Sequence, residues 1–396
     1  MKISILFDDF RPFHETKDPG QIPLGLIENG VNVDVLTLNK KELANYSPSF
    51  PILTQNSLEE YNNQQYWLKN DSDVILAYTW LRTAYRPIIE KIKSAGKKVI
   101  IKCDSDGRIA YPLERHNLRV PLKERWSTLA AINDLRWRLS SESWKRRHHS
   151  VEAKEVIKQI ELSDAVIIES PEAQSNLNFF LVTWGKPDLV RKVTFIPNPI
   201  APDFLKTAIG KKEKTIVSYG RWSDSAQKNT QVMVETSVEF LKQRQDFRIE
   251  IFGVGTDSVQ SLIRQAPQQV RDRVIVSGFV ERNRILEVLT SARILLVPSR
   301  WESFSIAAGE ALCSGCSIVG TPVESLRYLS MQGFSGSTAV AFNKEAIIGA
   351  LLQDAAKWDN GNYEPEEIAK FWRTRLDRKV IAKSIESLAK RQLTEG

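Results

Sequence analysis

Two glutamates, Glu302 and Glu310, stand with seven residues between them in the stretch Pro298-Ser299-Arg300-Trp301-Glu302-Ser303-Phe304-Ser305-Ile306-Ala307-Ala308-Gly309-Glu310-Ala311-Leu312. An apolar run, Ile294–Pro298, leads into it, so Glu302 falls in the loop after a buried strand. Glu310 then lies about one turn into the following helix. With that spacing both carboxylates can reach a ligand at the helix N-terminus, where free N–H groups and the dipole also gather. Carboxylates make charge-assisted hydrogen bonds to hydroxyls, so sugar or ribose hydroxyls are the matching ligand chemistry. The same residues are equally compatible with a helix-entry charge followed by a solvated helix residue.

A second loop, Ser218-Tyr219-Gly220-Arg221-Trp222-Ser223-Asp224-Ser225-Ala226-Gln227-Lys228-Asn229-Thr230, carries cations. Gly220 ends a strand, Arg221 follows it, and Lys228 sits just before a helix expected to start near Thr230. Two cations at a helix N-terminus make an anion site, or else two solvated surface charges. Gly253-Val254-Gly255 and Gly278-Phe279-Val280 also end strands; such glycines permit close backbone approach to a ligand, or a plain tight turn. None of the four histidines (His14, His116, His148, His149) sits at a convincing strand end, so no histidine general base is expected. Cys313-Ser314-Gly315-Cys316 is half of a zinc or redox site with no second pair, and its small residues suit helix packing.

The elements that must position these residues are short apolar strands alternating with amphipathic stretches. In the first half they are Lys2–Phe7, Val31–Leu38, Asp73–Tyr78, Lys98–Lys102, Ala165–Glu169 and Val193–Ile196. In the second they are Thr215–Tyr219, Arg248–Phe252, Arg273–Ser277, Ile294–Pro298, Ser317–Gly320 and Thr338–Phe342. Near-continuous apolar character marks strands buried on both faces, hence parallel sheets covered by helices, and the repeated βαβ pattern gives a doubly wound α/β fold. The wetter stretch Lys40–Asp71 reads as an insertion or long loop. Pro197, Pro199 and Pro202 make a stiff connector. The expected division is 1–198, 199–365 and a C-terminal helical segment, 366–396, packing back on the first domain.

At 396 residues, with 42% hydrophobic and 26% charged, the composition is that of a globular chain of two or three domains, without a run long enough to span a bilayer. Three cysteines (Cys103, Cys313, Cys316) without framework spacing, and a start that runs directly into a strand, point to the cytoplasm. The net charge of +7 is concentrated: residues 108–147 hold ten Lys/Arg against four acids. A basic patch implies an anionic partner. If one helix runs on from Pro121, Trp126, Trp137 and Trp144 form a single stripe flanked by Arg125, Arg136, Arg138, Arg146 and Arg147. Such a stripe suits an anionic membrane surface or, equally, packing onto the first sheet.

The string Pro298-Ser299-x-x-Glu302-x-Phe304, then Glu310-Ala311, resembles the glutamate pair of the family-four retaining glycosyltransferases of the GT-B fold. Gly220-Arg221 with Lys228 is similar to that family's diphosphate clamp, and Ile196-Pro197-Asn198 to its inter-domain element. The resemblance covers roughly Ile196 to Thr321. It implies two Rossmann-like doubly wound parallel-sheet domains facing each other across a cleft. It further implies that Arg221 and Lys228 grip a nucleotide diphosphate, Glu310 holds the ribose, and Glu302 contacts the transferred sugar. By the same resemblance Ser303, Phe304, Ser305 and Ile306 line the sugar and phosphate pocket with backbone N–H groups, Gly253 lies at the donor, and Val280 lies near the base. Ser303 and Ser305 replace the family's small glycines, and Gly309 precedes the second glutamate.

The first half matches less well. Asp18-Pro19-Gly20-Gln21 stands where the family has paired glycines, leaving Gly20 alone for close phosphate approach. The family's histidine after the fourth strand is absent from Ile101-Lys102-Cys103-Asp104-Ser105-Asp106, so Asp104 is the substitute catalytic candidate and Asp106 the second. Asp104-x-Asp106 also mimics the metal site of the other glycosyltransferase fold; with a cationic clamp present, no metal ligand and no cofactor is expected.

The implied reaction moves a hexose from a nucleoside diphosphate sugar to a hydroxyl acceptor with retention. The acceptor is expected to be a glycan, a glycolipid or another anionic molecule in cell-surface synthesis, with residues 108–147 at an anionic membrane surface and the protein peripheral on its inner face. Nucleic acid is not an expected partner. Competing readings are a sugar-nucleotide epimerase of the same fold and a non-catalytic nucleotide-sugar or RNA-binding protein.

Overall fold

A computed structural model of the chain describes residues 1–38, 40–113, 120 and 128–395, with backbone alone for 128–131. In the first half the apolar runs become β1 (Lys2–Leu6), β2 (Asn32–Thr37), β3 (Ile52–Thr54), β4 (Val74–Tyr78), β5 (Lys98–Lys102), β6 (Ala165–Ile168) and β7 (Val193–Phe195). They form one sheet in the order β3-β2-β1-β4-β5-β6-β7, parallel throughout. Both faces are apolar: Ile3, Ile5, Val74 and Leu76 pack on one side, and Leu6, Ile75 and Ala77 on the other. Two apolar faces require helices on both sides, which is why these strands read as unbroken runs.

The second half supplies β8 (Glu213–Arg221), β9 (Arg248–Val254), β10 (Val274–Val276), β11 (Ala292–Val297), β12 (Ser317–Gly320) and β13 (Gly336–Thr338). Their order, β10-β9-β8-β11-β12-β13, is again wholly parallel. In each sheet the order reverses beside the first strand, at β1/β4 and β8/β11, and those switch points are where doubly wound sheets bind ligands.

The chain divides into two compact units, Met1–Arg115 with Leu139–Ala201 and Leu376–Gly396, and His116–Arg138 with Pro202–Arg375. The helix Arg378–Thr394 therefore goes with the first unit, burying Ile381, Ile385 and Leu388 among Ile3, Ile5, Ile22 and Leu26. The helix before it, Pro365–Leu376, ends at the crossing between units.

Three sequence expectations change. The stretch 40–71 is not a long loop: it contains β3 and two short helices, Leu58–Tyr61 and Gln64–Lys69, whose Tyr61 and Trp67 are fully buried. Trp67 Nε1 donates to the Tyr61 carbonyl at 2.7 Å; of the polar run, Asn62 and Asn63 form the turn between the two helices, and Gln64 and Gln65 open the second. The last strand lies at Gly336–Thr338, and Thr338 alone overlaps the expected run. The tryptophan stripe does not run along one helix. The helix Thr128–Leu139 stops, and Ser141 caps a new one, Glu142–His148, by accepting the Trp144 N–H at 3.3 Å, as serine does at helix starts. Trp137 and Trp144 thus sit on different helices, and Trp144 stacks on His148 at 4.8 Å. Trp126, Leu122, Arg125, Lys123, Arg115 and Arg119 lie outside the described residues. Among the described residues no helix is long and apolar enough to cross a membrane.

Candidate functional site

At the switch point of the second sheet, the strand ends of β8 and β11 carry the two loops singled out by sequence. After β8 the chain makes one helical turn, Ser225–Lys228, passes through Asn229 in the left-handed region (φ 53°), and enters the helix Thr230–Gln243. That turn delivers Lys228, whose Nζ donates to Glu302 Oε1 at 2.6 Å. The clamp lysine and the first glutamate are therefore partners. Both are largely buried, so neither charge is left uncompensated in a low-dielectric setting.

Arg300 locks the two loops together. Its backbone N–H donates to the Gln227 carbonyl at 2.8 Å and its guanidinium to the Ala226 carbonyl at 3.0 Å, while Gln227 donates back to the Trp301 carbonyl at 3.1 Å. Arg300 is 2% exposed. Nothing in its immediate sequence marked it, since its contacts lie more than 70 positions away.

The second glutamate enters from the helix Ile306–Cys313, begun by Ser305 at φ 71°. Phe304 is fully buried and Ser305 nearly so, which fixes the peptide groups of 303–306 at the helix start. Glu310 Oε2 accepts from the Tyr219 hydroxyl at 2.8 Å, and its Oε1 faces Arg282 Nη1 at 3.6 Å. Burial and the Glu310 charge push the Tyr219 phenol well above 10, so it remains a donor. Arg221 is exposed at the end of β8, and Val280 is half-buried just beyond β10. Gly253 (φ 131°) has a packing role: a Cβ there would lie 1.9 Å from the Gly220 carbonyl oxygen, so the clamp strand itself fills the space.

In the first unit, the switch point opens into a cavity of about 530 Å³ lined by residues from four separate segments, among them Asp8, His14, Asp18, Trp80, Arg82 and Asp104. Trp80 (φ 48°) and Asp104 (φ 45°) both have left-handed backbones, a conformation that non-glycine residues keep only where surroundings enforce it. The enforcement is visible. Glu169, fully buried, accepts the N–H groups of Asp104 at 3.0 Å and Ser105 at 3.1 Å. Lys102 Nζ in turn bridges Glu169 at 2.5 Å and Asn198 at 2.7 Å. Trp80 Nε1 donates to Asp104 Oδ2 at 3.2 Å. Asp106 turns elsewhere, capping the Arg108 N–H at 3.0 Å, and among the described residues no three His, Cys, Asp or Glu side chains form a metal cluster.

Two sequence readings shift here. Gly20 lies in the first turn of the helix Asp18–Glu28, where a Cβ would meet the Glu15 backbone at 2.3 Å, so packing alone already requires a glycine there. His14, set aside because it follows no strand directly, lines the cavity from the turn Pro12–Thr16. Burial, with Lys17 nearby, lowers it to about 4, so it is neutral at pH 7; its Nδ1 accepts the Arg11 N–H at 3.0 Å. Asp18 opposes it: burial raises its carboxyl to about 6, and Tyr78 donates to it at 3.0 Å.

Residues 213–354 match the family model described as Glycosyl transferases group 1. Over 88 residues the chain is 36% identical to a D-inositol 3-phosphate glycosyltransferase of Xylanimonas cellulosilytica, covering 22% of this chain and 21% of that one. Over 200 residues it is 28% identical to an uncharacterized glycosyltransferase, YqgM, of Bacillus subtilis, covering 49% and 52%. The matches thus span about half or less of these relatives' length. Among solved structures, Anabaena HepE in complex with UDP superposes with a TM-score of 0.68 at 14% identity, covering 98% of this chain and 100% of that one. The fold is GT-B. Family model and relatives together support a glycosyltransferase, with the matched residues holding Arg221, Lys228, Glu302 and Glu310.

Proposed function

We propose that the protein is a retaining hexosyltransferase that takes a nucleoside diphosphate sugar in its second unit and a hydroxyl acceptor in the first-unit cavity. The observation that carries this reading is the paired arrangement at the β8/β11 switch point: Lys228 on Glu302 and Tyr219 on Glu310, with Arg221 at the strand end. A nucleoside diphosphate sugar offers a diphosphate to the cations and ribose and hexose hydroxyls to the carboxylates. Catalysis is electrostatic: Arg221 and Lys228 stabilise the charge growing on the departing phosphate. That phosphate accepts the acceptor's proton on the same face, giving retention. Asp104 is the catalytic candidate of the first unit, and the cations of the second take the place of a metal. UDP in HepE favours a uridine donor.

The acceptor is read as an anionic glycan or glycolipid, and the protein as cytoplasmic and peripheral at an anionic membrane. Exposed Leu139 and Val151 flanking Lys145, Arg146 and Arg147 support this placement. The test is a matrix of nucleoside diphosphate sugars against lipid-linked and soluble glycans with EDTA present. Products are detected by mass and their anomeric configuration read by proton NMR. A glycoside with the donor's configuration is expected. An epimer or free sugar alone, inversion, or a strict metal requirement would each contradict the reading.

A further inference from the structure

Glu310 sits in a cage of side chains that reaches beyond the Tyr219 contact. Its two oxygens meet different partners, Tyr219 on Oε2 and Arg282 on Oε1, so rotation of the carboxylate would break both contacts. Tyr219 is fixed by its place in β8, and its hydroxyl also lies 3.1 Å from the Ala307 carbonyl, one turn before Glu310. Arg282 opens the helix Arg282–Ser291 and is itself anchored twice. Its Nε donates to Asp203 Oδ2 at 3.0 Å, and its guanidinium lies 4.6 Å above the ring of Phe204, which is fully buried. A planar guanidinium held by stacking and an ion pair has little freedom left, so it presents one fixed charge to Glu310. Asp203, Phe204, Arg282 and Glu310 come from three distant stretches of one unit, and none of these contacts is needed merely to cap a helix.

We infer that Tyr219 and Arg282 are positioning residues that hold the Glu310 carboxylate in the orientation a vicinal ribose diol requires, and thereby set a preference for ribonucleotide over 2′-deoxyribonucleotide donors. This rests on the reading of Glu310 as the ribose residue. The physical basis is that a site built to accept a hydroxyl rejects an analogue lacking it, but only while the acceptor group is held in place. A carboxylate free to turn meets one hydroxyl nearly as well as two, so loosening it costs the ribonucleotide more than the deoxyribonucleotide.

The experiment is isothermal titration of UDP, ADP and GDP, each against its 2′-deoxy counterpart, into wild type, Tyr219→Phe, Arg282→Gln and Arg282→Lys. For the base that binds, wild type is expected to favour the ribonucleotide by about tenfold or more, the scale of one hydrogen bond to a charged group. In Tyr219→Phe and Arg282→Gln the ribonucleotide should lose about tenfold while the deoxyribonucleotide changes by less than about threefold, so the preference collapses. Arg282→Lys should keep an intermediate preference. Arg282 is a quarter exposed, and Tyr219→Phe removes one oxygen, so both proteins are expected to fold; thermal melts check this. If wild type shows no preference, the ribose role of Glu310 falls, and the inference with it. If wild type discriminates and both variants retain the full ratio, Glu310 keeps its role and the positioning claim is overturned.

Discussion

The two switch points of this molecule are built in opposite ways. In the second unit, two loops supply nearly every group: cations and carboxylates arrive already paired, Lys228 with Glu302 and Arg282 with Glu310. In the first unit, the cavity draws on several segments between Phe7 and Asp104 and is lined by aromatics, acids, a neutral histidine and the two cations Lys17 and Arg82. Its order comes from a buried support, Lys102 and Glu169, that never reaches the cavity lining. A site that must grip a highly charged, unvarying ligand part is served by fixed ion pairs. A cavity that must take a particular acceptor is served by scattered residues on separate loops, each free to vary.

The sharpest way to break this comparison is to strip the cations. Arg221→Ala and Lys228→Ala should each lower turnover at least about a hundredfold, since removing one transition-state oxyanion donor costs about 2.7–4 kcal/mol. Lys228→Ala also leaves Glu302 without its lysine partner, so it should be the more damaging of the two. Near-normal kcat in both variants would remove the clamp from the mechanism.

A smaller effect belongs to the first unit. Asp104→Ala should slow transfer by about tenfold or more, the loss of one charged hydrogen-bonding group, with nucleotide affinity by titration unchanged. A fall in nucleotide affinity equal to the fall in turnover would mean that the division of labour between the units is drawn wrongly.

The smallest effect is on stability and has a definite sign. Asp18 has its folded value raised from 3.8 to about 6, so the folded state binds the extra proton and stability falls as pH rises through that interval. His14 has its folded value lowered from 6.5 to about 4, so the unfolded state binds the extra proton and stability falls as pH drops through that interval. Urea midpoints between pH 4 and pH 6.5 should therefore shift in opposite senses. Asp18→Asn gains on wild type as pH rises, whereas His14→Gln gains on wild type as pH drops. Parallel curves for all three proteins would show that neither group is perturbed by the cavity.

The same contrast decides what could be read from sequence. Glycine, arginine, lysine and the glutamate pair of the second unit lie in two continuous strings that follow apolar runs, so residue type and spacing marked both loops as candidates, and the family resemblance joined them into one donor site. Their pairing was not legible, because Lys228 and Glu302 are 74 positions apart and meet only when β8 and β11 adjoin. Tyr219 read as an ordinary strand residue; a hydroxyl on the last residue before a strand-end glycine was the available signal. In the first unit Asp104 was found only as a substitute for an absent histidine. His14 was missed because it sits on a short turn that packs back over β1, a placement set by tertiary contacts with Phe7 and Phe10. The broken tryptophan stripe had a cue in Ser140-Ser141, since serine favours starting a helix over continuing one.

The central claim is that the second unit holds a nucleoside diphosphate sugar through its cations and its glutamates. Titrating UDP-glucose, UDP, UMP and uridine into wild type and Lys228→Ala tests it most directly. The account predicts that affinity rises steeply from uridine to UDP, that UDP-glucose binds at least as well as UDP, and that the diphosphate gain disappears in Lys228→Ala. If guanosine or adenosine ligands replace uridine with the same pattern, the claim stands with a different base. Equal binding of nucleoside and nucleoside diphosphate, or a diphosphate gain untouched by Lys228→Ala, would contradict it.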